Sequence, residues 1–187
     1  HVMVDVSHLS DNAFWEIAEM IRQPFIASHS NCRSITATSR NLTDEMIRKL
    51  ADKGGVLGIN LYPGFLSDNY LAAWDAIAMP ALEAAKTASE EEIKYLKQDA
   101  IQRLRAIPLP GIEWIGRHVS HAIQIGGEDC VGLGGDLDGI SAMPVGITGI
   151  ESYPMIADSL RSAGLTTSQI KKVCWKNMLR VFKDVLH

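Results

Sequence analysis

The sequence predicts an α/β fold of the (β/α)8-barrel (TIM-barrel) type, of which this chain supplies about the last four β/α units. First, short apolar segments that are typical of strands alternate with longer segments of helical periodicity. Second, each predicted strand ends in a polar residue, and barrels of this type carry their sites at that end of the strands. Third, the chain has 187 residues, whereas a complete barrel usually needs about 250. We therefore expect one domain over residues 1–187 that forms half of a barrel.

The first β/α unit is predicted from the opening residues. Residues 1–8 form an apolar run that is typical of a buried strand. Ser10 can cap the helix that follows, because its hydroxyl can accept a hydrogen bond from a free N–H of the first turn. The apolar positions of this helix recur every three or four residues, and the helix should end near Pro24. Because the chain opens on a core strand, we expect it to be the remainder of a longer polypeptide.

The second and third units follow the same order. Residues 25–29 predict a second strand, which a polar loop follows. Thr43 begins a helix with one apolar face, and the two glycines at 54–55 end it. Residues 56–61 then predict the third strand.

The remaining segments are mostly helical. Residues 67–110 are alanine-rich and then charged, which predicts a helical insertion with a solvated face. A stretch rich in proline and glycine ends this insertion. The periodicity then predicts a helix over 112–125, a strand over 130–136, and two helices over 148–163 and 167–186.

A doubly wound nucleotide-binding sheet is the main alternative for this order of elements. That fold places a glycine-rich phosphate loop after its first strand, and residues 7–10 contain no glycine. The polar strand ends therefore favour the barrel.

The composition argues against several classes of function. Eighteen Lys and Arg against 22 Asp and Glu give a net charge of -4 without a basic run, so we expect no nucleic-acid partner. No apolar stretch approaches the roughly 18 residues that a membrane helix needs. Three cysteines without a CxxC spacing predict neither a disulfide framework nor a thiolate metal site, and they favour a reducing, cytoplasmic location.

His8 and His29 are the candidate metal ligands. They end two consecutive predicted strands, and neighbouring parallel strands lie about 4.8 Å apart. Two neutral imidazoles at that separation can bind one metal ion. Alternatively, each histidine forms hydrogen bonds only to the backbone of its own loop. His118 and His121, three residues apart on one predicted helix, are expected at the helix surface.

An acid and an arginine complete the candidate site. Asp136 ends the fourth predicted strand within a glycine-rich segment, where a carboxylate can shuttle protons beside a metal-bound water. An Asp-Gly turn explains the same pattern equally well, and Asp138 fits such a turn better. Arg40 follows the second strand and is either an ordinary surface arginine or a bidentate partner for a substrate carboxylate.

Several ordered segments of the chain form a specific pattern that resembles a known family. They are DVSHLSD (5–11), ASHSNCR (27–33), SRNLTD (39–44) and GLGGDLDG (132–139), together with GGV (54–56), NLYPGF (60–65) and NMLRVF (177–182). Together they strongly resemble the renal (membrane) dipeptidase family of zinc metallopeptidases. The resemblance covers nearly the whole chain outside residues 67–110.

The resemblance implies a barrel with two zinc ions at the carboxyl ends of its strands, where a bridging water attacks the peptide bond of a dipeptide. It implies that His8 and His29 bind the second zinc ion. It further implies that Arg40 holds the terminal carboxylate of the substrate and that Asp136 is the acid/base near the leaving amine.

The resemblance also bears on the substrate. Tyr62 and Phe65 are expected to line the substrate pocket. The activity of the family extends to dipeptides with a D-residue at the carboxyl side, and in some members to β-lactam-like substrates.

The sequence departs from the family pattern because the early strands, with the ligands of the first zinc ion, are absent. It contains no His-x-Asp motif. We therefore expect the carboxyl-terminal half of a dipeptidase, with part of the metal shell, weak metal binding and no activity on its own. Its open strand edges should pair with the missing amino-terminal half or with a second copy, and we expect a homo-oligomer.

Two other functions stay open from the sequence. A related amidohydrolase-type enzyme would act on a cyclic amide or ester, and such a neutral ring does not need Arg40. A non-catalytic barrel scaffold predicts that His8, His29 and Asp136 do not converge, or that they converge without metal.

Overall fold

The computed structural model of the protein describes residues 2–186, in which parallel strands alternate with helices. In chain order, the elements are α1 (Asp11–Met20), β1 (Ile26–Ser30), α2 (Asp44–Asp52), β2 (Val56–Asn60), α3 (Pro63–Leu66), α4 (Asp68–Ala85), α5 (Glu90–Arg105), α6 (Glu113–Gly126), β3 (Val131–Gly135), a 3-10 turn (Ile150–Ser152), α7 (Tyr153–Ser162), α8 (Thr167–Lys171), a π turn (Lys172–Lys176) and α9 (Asn177–Leu186).

The three strands form one parallel sheet in the order β1-β2-β3. β2 is buried along its whole length, as is typical of a central strand that helices cover on both faces. Ala27 of β1 pairs with Leu57 of β2, which in turn pairs with Val131 of β3. Because all three strands are parallel, their carboxyl ends lie at the same edge of the sheet, which we call the carboxyl edge.

The prediction of a buried first strand over residues 1–8 is wrong for the described residues 2–8; His1 lies outside the described range. Asp5 makes a single parallel bridge to Ile26 of β1, and Val6 donates a backbone hydrogen bond to the Ile26 carbonyl at 2.9 Å. This segment has a neighbouring strand on one side only, so most of its side chains stay in contact with solvent, and Val2 is 71% exposed.

The core lies between the sheet and the helices packed on it. Apolar side chains of α2 and α6 pack on each other and on the sheet, and a smaller cluster joins β1 and β2 to α9. The largest fully buried side chains include Phe14, Phe25, Met46, Ile47, Leu57, Ile59, Ile115 and Leu160. The periodic apolar positions therefore face the core, as the helical pattern predicts.

The segment 67–110 forms a hairpin of two helices, α4 and α5, which agrees with the predicted helical insertion. Only Tyr70 and Ala78 of α4 are buried, and α5 buries none of its residues. The hairpin therefore contacts the rest of the described chain mainly through the start of α4.

Helix boundaries differ from the predictions at two places. α1 ends at Met20, before the predicted end near Gln23–Pro24, and Ile21 is already extended, with a ψ of 135°. The helix predicted over 148–163 begins as a 3-10 turn and becomes α-helical at Tyr153. Of the described helices, none combines the length and the apolarity that crossing a membrane requires.

Candidate functional site

Polar side chains from several β/α units meet at the carboxyl edge of the sheet. His29 belongs to the end of β1, Asn60 is the last residue of β2, and Asp136 directly follows β3. His8 follows the segment that pairs with β1. The edge therefore collects these residues because parallel strands present their carboxyl ends together.

The two candidate metal ligands touch each other. The Nε2 atoms of His8 and His29 lie 2.8 Å apart, and the ring centroids are 4.9 Å apart. His8 is exposed and His29 is half-buried. Residues 2–186 contain no group of three or more His, Cys, Asp or Glu side chains placed to hold a metal ion. The described chain therefore offers a pair of imidazoles in contact with each other, without a third such side chain beside them.

Arg40 is held beside this pair by its own hydrogen bond. Its Nε donates to the carbonyl of Ser7 at 3.1 Å, and its Nη2 lies 3.4 Å from His8 Nε2. The guanidinium also lies 5.2 Å from the centre of the Phe65 ring, a distance at which a cation is attracted to an aromatic face. Its terminal nitrogens therefore face the same space as the two histidines.

Asp136 is positioned by its backbone and by a buried neighbour. Asn60, which is fully buried, donates from Nδ2 to Asp136 Oδ2 at 2.9 Å. Asp136 has a φ of 64°, a left-handed conformation that is uncommon in residues other than glycine but is more accessible to Asp than to most of them. A Cβ at Gly139 would meet the Asp136 carboxylate. Asp138 is exposed two residues further on.

Tyr62 and Phe65 form an aromatic wall of the site. Their ring centroids are 5.0 Å apart in an edge-on arrangement. The backbone N–H of Tyr62 donates to Asn60 Oδ1 at 2.6 Å, which fixes the entry into α3. Burial raises the pKa of Tyr62 to about 12, so its hydroxyl keeps its proton near neutral pH.

One cavity of about 370 Å³ joins these groups, and its wall includes His8, Arg40, Tyr62, Phe65 and Asp136. His29 joins the same site through its contact with His8. All six residues predicted from the sequence therefore lie together, while their chemical roles stay predictions. A separate cavity of about 470 Å³ borders the hairpin and has a mainly apolar wall.

A network of buried asparagines supports the site, and the sequence interpretation did not predict it. Asn31 donates to the carbonyls of Asn60 and Phe65, each at 3.1 Å, and accepts from the Asn60 N–H at 2.9 Å. Asn41, next to Arg40, donates to the same Phe65 carbonyl at 2.9 Å and accepts from the Asn31 N–H at 3.1 Å. The loops after β1 and β2 are therefore locked to each other.

The prediction of a surface position for His118 is wrong. His118 is fully buried; its Nδ1 accepts from the Cys32 N–H at 3.1 Å, and its Nε2 lies 3.0 Å from the Leu66 carbonyl. Burial lowers its pKa to about 4, so the ring is neutral at pH 7. The sequence did contain a signal, since His118 follows Ile115 by three residues and precedes Ala122 by four, on the buried face of α6.

Comparison with known proteins identifies similar chains. The profile of the family "Membrane dipeptidase (Peptidase family M19)" matches residues 1–187. A Klebsiella pneumoniae protein described as an uncharacterised protein in the pqqA 5' region is 32% identical over 184 residues, which are 98% of this chain and 55% of that protein.

Two solved structures are similar to the whole described fold. The probable dipeptidase PvdM from Pseudomonas aeruginosa has a TM-score of 0.84 at 23% identity and is matched over 98% of this chain and 50% of its own. A Rhodobacter sphaeroides metallopeptidase, liganded with a phosphinate mimic of the dipeptide L-Ala-D-Ala, has a TM-score of 0.74 at 26% identity over 98% and 42%. The predicted partial-barrel fold is confirmed, and the chain spans about half the length of the proteins it matches.

Proposed function

Since this chain belongs to the membrane dipeptidase family, peptidase family M19, we propose that it is part of a zinc-dependent dipeptidase whose site lies at the carboxyl edge of its sheet. One observation carries the proposal: two imidazoles, a guanidinium and a carboxylate from three β/α units meet around one cavity. Each of these groups has a role in the hydrolysis of a small peptide.

His8 and His29 would hold the metal. Neutral imidazole is a preferred ligand of zinc, and the Nε2 atoms of these rings point at each other across 2.8 Å. The donor types therefore fit two positions of a zinc shell. Two nitrogen ligands of one tetrahedral zinc ion lie about 3.3 Å apart, so the two rings would move apart by about 0.5 Å when they bind the ion. When bound, the metal would polarise the peptide carbonyl and lower the pKa of water. We propose two zinc ions in the intact enzyme, with the other ligands supplied by a part of the barrel outside this chain.

Arg40 would bind the terminal carboxylate of the substrate. A guanidinium forms paired hydrogen bonds with a carboxylate, and the Nε bond to the Ser7 carbonyl orients the fork toward the cavity. A cyclic amide or ester has no free carboxylate for this group. The placement of Arg40 at the cavity wall therefore favours a dipeptide over a neutral ring as substrate.

Asp136 would transfer the proton between the attacking water and the leaving amine. The bond from Asn60 occupies Oδ2, which leaves Oδ1 as the oxygen that takes up and returns the proton. The left-handed backbone at Asp136 keeps the side chain at the end of β3. Because Asn60 bonds the carboxylate directly, a small displacement of the Asn60 side chain should move the Asp136 carboxylate and change the rate of hydrolysis.

The cavity and one relative support a dipeptide as the substrate. A dipeptide fits a cavity of about 370 Å³ with its carboxylate on Arg40 and a side chain against Tyr62 and Phe65. The Rhodobacter sphaeroides relative is liganded with an L-Ala-D-Ala mimic. We propose that dipeptides with a D-residue at the carboxyl side are among the substrates of the whole enzyme.

The described chain would be inactive alone. Two histidines leave the metal shell incomplete. Within the described residues, β3 and the segment before His8 each pair with a strand on one side only, so a further strand can pair at the other side of each. We propose that these edges bind the remaining half of the barrel, or a second copy of the chain in a homo-oligomer.

The test is hydrolysis of L-Ala-D-Ala with added zinc, by the chain alone and by the chain mixed with a matching amino-terminal half. We expect activity only in the mixture. His29→Ala and Asp136→Asn should lower kcat/KM by at least about 100-fold, and Arg40→Ala should mainly raise KM, because it binds the ground state as well.

Two control variants change residues of the same types outside the candidate site. Asp138→Asn changes an exposed acid two residues from Asp136, and His121→Ala removes a histidine on α6; both should keep nearly full activity. A folded mixture that holds no metal and hydrolyses no dipeptide would contradict the proposal and favour a non-catalytic scaffold.

A further inference from the structure

A carboxylate and a hydroxyl lie behind His29, on the side of the ring away from His8. Ser28 Oγ lies 2.6 Å from His29 Nδ1 and also contacts Asp5 Oδ2. His29 Nε2, at the opposite side of the ring, faces His8. A continuous series of hydrogen bonds therefore runs from Asp5 through Ser28 to the imidazole.

Asp5 is an acceptor at both of its oxygens. Oδ1 accepts from the backbone N–H of Ser7 at 3.1 Å and of Ser28 at 2.9 Å, and Oδ2 contacts the Ser28 hydroxyl. Burial acts to raise the pKa of Asp5, but the hydrogen bonds from Ser28 and Ser7 outweigh it and lower the pKa below its ordinary value. Near neutral pH, Asp5 therefore has no proton to give.

The count of protons then fixes the direction of every bond in the series. A serine hydroxyl has one proton, and Ser28 must donate it to Asp5, since an ionised carboxylate only accepts. Ser28 then has no second proton to donate to His29 Nδ1. The proton in that hydrogen bond must therefore come from the imidazole ring. His29 is therefore the Nδ1–H tautomer, with an unprotonated Nε2.

We propose that Asp5 and Ser28 are positioning residues that hold His29 as the Nδ1–H tautomer and thereby direct its Nε2 lone pair to the metal. This inference rests on the proposed role of His29 as a ligand. A ligating histidine needs a partner for its other nitrogen, because that partner fixes the tautomer and the ring orientation.

The same short segment also positions the other groups of the site. The Ser7 hydroxyl accepts from the His29 backbone N–H at 2.9 Å, and the Ser7 carbonyl accepts from Arg40 Nε at 3.1 Å. Residues 5–8 thus fix the backbone and tautomer of His29 and the direction of Arg40. The last residue of this segment is His8, the other candidate ligand.

The Asp5→Asn variant gives the sharpest test, because it changes the direction of the bonds without changing the shape of the side chain. The amide oxygen of the substituted side chain must accept from the two backbone N–H groups, so its NH₂ group faces Ser28 and donates to Oγ. The proton of Ser28 is then free for His29 Nδ1, which at 2.6 Å is a closer acceptor than Ser7 Oγ at 3.4 Å. We expect His29 to switch to the Nε2–H tautomer, in which Nε2 has no lone pair for a metal.

The experiment uses the full 187-residue chain labelled with ¹⁵N at histidine. Long-range ¹H–¹⁵N spectra of the metal-free chain at pH 8 report the tautomer of each ring, and zinc titration reports affinity. Wild type and Ser28→Thr should show His29 with a protonated Nδ1. Ser28→Ala should show mixed tautomers, and Asp5→Asn the Nε2–H form, with zinc affinity lowered about 10-fold to 100-fold in both.

Controls separate this inference from general damage to the fold and from the proposed function. The Asp5 and Ser28 variants should unfold at the same temperature as wild type. The exposed Ser39→Ala variant should have the tautomers and the zinc affinity of wild type. If zinc binds through His8 and His29 while Asp5→Asn and Ser28→Ala change neither tautomer nor affinity, this inference alone is overturned. If His8→Ala and His29→Ala bind zinc as wild type does, the proposed function is overturned, and the metal role of Asp5 and Ser28 with it.

Discussion

The carboxyl edge of the sheet and the hairpin of α4 and α5 are stabilised by different kinds of interaction. At the carboxyl edge, buried polar side chains join residues far apart in sequence: Asn31 bonds Asn60 and Phe65, and His118 of α6 bonds Cys32. In the hairpin, a capping box begins α5, and exposed ion pairs such as Arg103 with Asp99 link neighbouring turns.

This contrast indicates that the fold holds the loops at the carboxyl edge more precisely than the hairpin. A buried polar group that loses its partner destabilises the protein by about 1–3 kcal/mol, so each bond at the carboxyl edge restricts the loops that carry the site. Exposed local ion pairs contribute little to the free energy of unfolding, so the position of the hairpin is less restricted than that of the loops at the carboxyl edge. The chain therefore concentrates its buried polar contacts around the candidate site.

The largest effect is expected from Asn31→Leu. This change leaves the buried N–H and carbonyl of Asn60 without their partner and weakens the link to Phe65, so we expect a loss of about 4 kcal/mol in the free energy of unfolding. Urea denaturation monitored by circular dichroism measures it. Asn69→Leu, at an exposed position of α4, should change stability by less than about 0.5 kcal/mol; equal losses would remove the distinction between the two regions.

The next effect is a dependence of stability on pH through His118. Its folded pKa of about 4 lies below the ordinary value of 6.5, so the unfolded state takes up the proton first. The stabilisation is therefore complete above pH 6.5 and is lost as the pH falls toward 4, by about 3 kcal/mol in total.

His118→Gln removes the titrating ring and is the comparison for this pH effect. The difference in unfolding free energy between wild type and variant should shrink as the pH falls from 7 to 4, as measured by denaturant unfolding at each pH. A difference that stays constant over this range would show that His118 does not titrate as its burial requires.

A smaller effect is expected at the start of α5. The Ser89 hydroxyl and the Glu92 carboxylate form a reciprocal cap, and Ser89→Ala should destabilise the helix by about 1 kcal/mol. Hydrogen exchange should accelerate in α5 and stay unchanged in β1 and β2. Thr87→Ala, in the same connection, is the matched control, and acceleration that spreads to the sheet would contradict the local character of the hairpin.

The smallest effect is expected from Arg103→Ala. Its ion pair with Asp99 is exposed and spans one helical turn, so the free energy of unfolding should fall by no more than about 0.5 kcal/mol. Thermal unfolding at low and high salt measures this contribution. A loss above about 1 kcal/mol would mean that the hairpin packs through this face.

Much of the fold could be predicted because apolar periodicity is a local signal. The strands after Pro24 and before Tyr62 and the hairpin helices all appear near their predicted positions. The first strand could not be predicted correctly, because whether residues 1–8 are buried depends on which strands lie beside them. An apolar run gives no information about its neighbours.

The candidate site could be predicted in part, because strand ends are recognisable in the sequence. His8, His29 and Asp136 each follow an apolar run, and the structure brings them to one edge. Asn31 and Ser28 could not be identified as supports, because their roles depend on Asn60 and Asp5, which lie in other β/α units. The sequence therefore predicted the groups that face the cavity better than those that hold them.

Zinc binding by the 187-residue chain is the most direct measurement of whether the carboxyl edge forms a metal half-site. Isothermal titration of the metal-free chain should show one weakly bound zinc ion, and both His8→Ala and His29→Ala should abolish it, while His121→Ala should leave it unchanged. Zinc binding that persists in both variants, or is absent from the folded wild-type chain, would contradict the assignment of the two histidines as part of the metal site.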